Sequence, residues 1–93
     1  MLHTVNKSPF ERTSLETCLR LATKGNAILL IEDGVLAAIK GTAVAESVEA
    51  ALKEFSVYAL GPDLDARGIG KDQVIDGIGI VDYGGFVDLA VEH

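Results

Sequence analysis

The chain has no tryptophan, one cysteine, two prolines and only 8 basic residues against 14 acidic ones. Each scarcity excludes something. A lone thiol, Cys18, cannot close a disulfide within its own chain, so a fold stapled by internal disulfides is ruled out. A formal charge of −6 leaves no cationic face of the kind that neutralises phosphates, which argues against direct nucleic-acid binding. No apolar run is longer than that from Ala27 to Ile31, far too short to span a bilayer. The N-terminus has neither the basic segment nor the long apolar core of a secretory signal, so a reducing cytoplasm is the expected setting. Two prolines and no serine-rich or charge-rich run leave no place for a linker, and there is no internal repeat.

What is present is a chain of 93 residues with 48% apolar content, enough for one compact domain spanning 1–93. Leu2 to Val5 reads as a strand. Ser8-Pro9-Phe10-Glu11 is a helix-start signal, with a capping serine, proline at the first helical position and glutamate at the third, and Thr13-Ser-Leu-Glu16 repeats it. Leu15, Cys18, Leu19 and Ala22 then share one face of an amphipathic helix, closed by Lys24-Gly25-Asn26. The run Ala27–Ile31 predicts a strand buried on both faces of a parallel sheet. Asp33-Gly34 ends it, with Asp33 expected to cap a short helix over 35–39. A helix is predicted over 42–54, with Val44, Val48, Ala51 and Leu52 on one side, and a strand over 56–60. One helical turn is predicted over 63–67, then a polar loop, a strand over 78–81, and a last helix through Val87, Leu89, Ala90 and Val91. Strands alternating with helices predict an α/β domain with a mostly parallel sheet.

The chemistry-bearing residues are few. The first strand runs into Asn6-Lys7-Ser8-Pro9 without a glycine, so the dinucleotide fingerprint is missing where it would have to stand. The Gly68/Gly70 and Gly77/Gly79 pairs lack the third glycine and the following helix, and no phosphate-loop ending occurs. Glu32 and Asp33 stand where open α/β sheets hold their ligands; acid/base work is conceivable there, and a solvated acidic turn is the plainer reading. Asp63, Asp65 and Arg67 suit local ion pairs or caps worth under ~1 kcal/mol. His3 and His93 have no cysteine or histidine cluster around them, so no metal site and no cofactor is expected. Cys18 is beyond the first turn of its predicted helix, among Leu15, Leu19 and Leu21, with no activating charge beside it. Local sequence therefore favours an inert buried thiol. If the thiol works, another chain must help it.

Four segments, in order and spacing, carry a resemblance. Leu2-His-Thr-Val-Asn-Lys-Ser-Pro-Phe10, the Glu-Asp-Gly-Val turn at 32–35, Val57-Tyr-Ala-Leu60 with Asp63-Leu-Asp-Ala-Arg-Gly68, and Val81-Asp-Tyr83 leading to Phe86-Val-Asp-Leu89 resemble the DsrH/TusB family over essentially the whole chain. The resemblance implies a three-layer α/β/α sandwich with a small, mostly parallel sheet. It also implies a cytoplasmic sulfur-relay subunit working in a two-fold heterohexamer with DsrE/TusD-like and DsrF/TusC-like partners, between sulfur donor and acceptor proteins. In such complexes the main persulfide cysteine belongs to the DsrE or TusD subunit. The Dsr branch serves dissimilatory sulfur oxidation, and the Tus branch passes sulfur toward 2-thiouridine at the tRNA wobble position. DsrH resembles this chain in carrying a cysteine in a Ser-Leu-Glu-x-Cys-Leu context, as at Ser14–Leu19, whereas TusB typically has none there. The expectation is thus a DsrH-like subunit with Cys18 as auxiliary sulfur acceptor; the alternatives are a TusB-like subunit or a structural subunit with Cys18 buried. Family members often carry a tryptophan-bearing tail past the last helix, which this sequence lacks, so assembly could differ here.

Overall fold

In a computed structural model, residues 2–6, 8 and 26–92 are described. Four strands, β1 (Leu2–Val5), β2 (Ala27–Leu30), β3 (Ser56–Leu60) and β4 (Gly79–Val81), form one parallel sheet in the order β1-β2-β3-β4. The register aligns Val5, Leu30, Ala59 and Ile80 across the sheet, and Thr4, Leu29, Tyr58 and Gly79 one residue earlier. Because side chains alternate along a strand, those two rows point to opposite faces. β2 is buried at all four positions, as its uninterrupted apolar composition requires of a strand covered on both sides.

Three helices are described: α1 (Ala45–Ala51), α2 (Gly61–Ala66) and α3 (Tyr83–Glu92). Two 3-10 segments, Glu32–Ala38 and Lys71–Gln73, complete the connections. The first face of the sheet, with Val5, Ile28, Leu30, Val57 and Ala59, closes against Val35 and Ala38 of the long 3-10 segment, Val48 and Ala51 of α1, and Leu64 of α2. Ile75 and Val74 join the same core, held by an isolated antiparallel bridge between Ile39 and Val74 and by Ile75 N–H donating to the Ala38 carbonyl at 2.8 Å. On the second face, α3 is drawn onto β4 at Gly85, where a Cβ would stand 2.9 Å from Val81 Cβ. Asp82 caps that helix, its Oδ1 accepting the Gly85 N–H at 2.8 Å. The result is an α/β/α three-layer arrangement about a small parallel sheet.

The differences from the sequence reading have local causes. The helix expected over 42–54 is regular only over Ala45–Ala51; Thr42–Val44 form turns before it, and Lys53 and Glu54 donate to Ala50 and Ala51 carbonyls three residues back, the tightened last turn common at helix ends. The helix expected over 35–39 is a 3-10 segment starting at Glu32, so Asp33 already lies inside it. Asp33 therefore makes no capping hydrogen bond, and the capping position falls to Ile31, which has no side-chain acceptor. The turn over 63–67 begins earlier, at Gly61, because Pro62 suits the first helical turn, where its missing N–H costs nothing. The stretch read as a polar loop holds a single 3-10 turn over Lys71–Gln73, whose Gln73 Oε1 accepts the Gly70 N–H at 2.8 Å.

Candidate functional site

In an open parallel sheet, ligands gather at the carboxyl ends of the strands. Here that end is built from the turn after β2 and the helix after β3, and the two are tied by one arginine. Arg67 donates from Nε and Nη2 to Asp33 Oδ1 at 3.1 and 2.9 Å, although 34 residues separate them. Its Nη1 donates to the Asp63 carbonyl oxygen at 3.1 Å and stands 4.0 Å from Asp63 Oδ1. Asp63 in turn accepts the backbone N–H of Glu32 through Oδ2 at 2.6 Å. That bond holds Glu32 in the left-handed region, φ 49°, which a side-chain-bearing residue enters at a cost of roughly 1–2 kcal/mol.

Chemically this is a clamp rather than a receptor. Asp33 and Asp63 flank one guanidinium, and Glu32 and Asp65 add two more carboxylates to the same two turns, so the stretch is net anionic and disfavours a phosphate or carboxylate ligand. The pair is also wet: the Asp33 side chain is 57% exposed, which keeps its contribution in the range of surface ion pairs. Arg67→Ala should lower stability by about 1 kcal/mol or less, with the difference shrinking further in high salt; thermal melts at two ionic strengths check this. A loss of several kcal/mol would mean the arginine holds more than these two turns.

The other residues singled out in the sequence are scattered. Cys18, its predicted helix beyond Ser8, and His93 lie outside the described residues. His3 lies on edge strand β1, its Nε2 3.0 Å from Asn26 Nδ2, which ties the entry of β1 to that of β2. Asp65 is exposed and stands outside the hydrogen bonds of the clamp. Among the described residues no three His, Cys, Asp or Glu side chains gather to hold a metal ion. A shallow depression lined by Lys40, Glu49, Ile75 and Asp76 holds the Lys40–Asp76 pair at 3.7 Å, both members largely solvated. No helix among the described residues is long and apolar enough to cross a membrane.

Sequence reasoning missed the Asp33–Arg67 bond, because nothing local connects residues on two different strand exits. It also missed the outward side of α3. Tyr83, Val87 and Val91 are 61%, 61% and 82% exposed, while Leu89 on the same helix is 7% exposed. Helical spacing alone could have placed the three on one stripe, but not on the solvent side.

A sequentially wound parallel sheet of four described strands, with helices on both faces and the Asp33–Arg67–Asp63 clamp at its carboxyl end, defines a small α/β/α domain. Solved structures share the fold. The ychN protein of Escherichia coli superposes with a TM-score of 0.85 at 22% identity, covering 97% of this chain and 90% of that one. A Methanobacterium thermoautotrophicum protein of unknown function, MTH1491, gives 0.76 at 16% identity, covering 98% and 90%. Sequence relatives are nearer. Protein TusB of Pectobacterium parmentieri is 39% identical, and protein TusB of Escherichia coli K12 43% identical, each over 93 residues that make up all of this chain and 94% of the relative. Residues 7–93 match the family described as DsrH like protein. The chain belongs to the DsrH/TusB family.

Proposed function

We propose that this chain is the TusB-type subunit of a cytoplasmic sulfur relay that passes persulfide sulfur, through TusC- and TusD-type partner subunits, toward 2-thiouridine formation in tRNA. The observation that carries the reading is full-length similarity, at 39% and 43% identity, to proteins named TusB. It favours this branch over the sulfur-oxidation branch, which Cys18 alone favours. The acidic chain and its anionic carboxyl-end patch support a subunit that meets proteins and leaves the tRNA to others. Removing the gene and weighing the 2-thiouridine content of bulk tRNA tests the branch: near-complete loss, restored by this chain, is expected. Unchanged thiolation with impaired sulfur oxidation would return the reading to the DsrH branch.

Cys18 keeps a second reading in play, as an auxiliary sulfur acceptor in the manner of DsrH. Its thiolate would attack the terminal sulfur of a partner's persulfide; the partner's S–S bond breaks, the partner leaves as thiolate, and Cys18 carries the persulfide. No oxidant is consumed. The complex is to be incubated with a persulfide donor and each denatured subunit weighed intact. One added sulfur on this chain, absent from Cys18→Ser, is the outcome expected of a carrier. Sulfur on the TusD-type subunit alone makes this chain a scaffold and Cys18 inert.

A further inference from the structure

We infer that the outward face of α3 is a docking surface for a different protein, one whose contact patch is apolar and rimmed by lysine or arginine. This rests on the relay reading above, since it assigns a place on the fold to a partner subunit. Tyr83, Val87, Ala90 and Val91 recur at i, i+4, i+7 and i+8, the spacing by which a helix seals against a core. All four nevertheless face solvent. The helix does not need them for its own attachment: Leu89 is buried, Phe86 half-buried, and Gly85 already lies against Val81 on the sheet. Single exposed apolar residues mean little, but a continuous stripe of them on one helix marks an interaction site.

Charge decides the occupant. Asp82 at the start of α3, and Asp88 and Glu92 within it, are acidic, and residues 82–92 hold no lysine or arginine. Asp88 and Glu92 belong to α3 itself, are exposed, and follow the stripe around the helix. A second copy meeting this face through a two-fold axis would bring the same acidic patch to both sides, with no basic residue on the helix to offset it. A membrane with anionic lipid would be repelled for the same reason. A protein that offers apolar side chains at its centre and basic ones at its rim satisfies both halves of the surface.

The test is made with the full chain co-expressed with the TusC- and TusD-type subunits of the same genome. Val87→Asp and, separately, Val91→Asp are compared with wild type by native mass spectrometry and by titration against the purified partner pair. Both positions are exposed, so melting temperatures should stay within a few degrees of wild type. Each variant is expected to weaken assembly at least tenfold. Asp88→Lys should weaken it severalfold and flatten its salt dependence, while Glu54→Lys, in the exposed turn after α1, should leave it unchanged. Wild-type affinity in both aspartate variants overturns the surface and leaves the relay reading standing. Loss of a homodimer in place of the mixed complex overturns the choice of occupant. A wild-type chain that binds neither subunit overturns both proposals.

Discussion

Gly34→Ala is expected to unfold most of the protein at temperatures where wild type is folded. A Cβ at position 34 would overlap the carbonyl oxygen and carbon of Val5. That carbonyl cannot swing aside cheaply, because it accepts the Ile31 N–H at 2.9 Å, extending the β1–β2 ladder by one bond. Nor can the glycine retreat on its own: its N–H donates to the Ile31 carbonyl at 2.8 Å, and Val35, Ala37 and Ala38 behind it are fully buried. A clash of backbone with backbone, relieved only by moving a core segment, belongs among the few substitutions costing more than about 4 kcal/mol. A chain of this length has about 5–14 kcal/mol in total at the usual stability per residue. Urea unfolding monitored by circular dichroism measures the change, and a midpoint close to wild type would show that the Val5–Gly34 approach is not required.

Leu30→Ala should cost about 3 kcal/mol, within the range for emptying a buried leucine site. Leu30 is fully buried at the carboxyl end of a central strand, aligned with Val5 on one side and Ala59 on the other. Both neighbours are small, so neither can reach into the space the missing methyls would leave, and a cavity rather than a collapse is the expected result. The melting temperature should fall by roughly 10–25 °C. Val91→Ala, at a side chain 82% exposed, should change stability by less than about 0.5 kcal/mol and serves as the internal comparison. Equal effects at the two positions would contradict the burial assigned to β2.

How much of the fold is legible in the sequence varies with the range of the interaction responsible. Ala27–Leu30 can be read as a two-face-buried strand because the demand, apolar side chains at every position, is written in consecutive residues. The helix of residues 83–92 is likewise visible from its apolar composition, but which side it buries is not, since Leu89 and Val87 are equally apolar and only the position of the sheet distinguishes them. Asp33 reads as a cap because capping is the commonest local use of an aspartate before a helix. Its real partner, Arg67, is brought beside it only when β2 and β3 pair. Three-residue turns such as Lys71–Gln73 rest on one or two hydrogen bonds and leave no periodic trace to read. As for the site, Glu32, Asp33, Asp63 and Arg67 are all candidates from the sequence, yet their union in a single clamp depends on the same long-range pairing.

The strand order has a consequence for the chain as it is made. Each strand pairs with the one synthesised just before it, so the sheet can grow from β1 to β4 as the polypeptide leaves the ribosome, with no gap waiting for a later segment to fill. During synthesis β1 is then a fixed edge of the sheet, and the strand made last is the other, moving edge. Until residues 79–81 emerge, that edge is β3, five residues long and rich in buried side chains, a ready template for pairing with another chain. A nascent chain stalled between Leu60 and Gly79 thus presents a longer moving edge than the finished sheet, whose edge on that side is the three residues of β4.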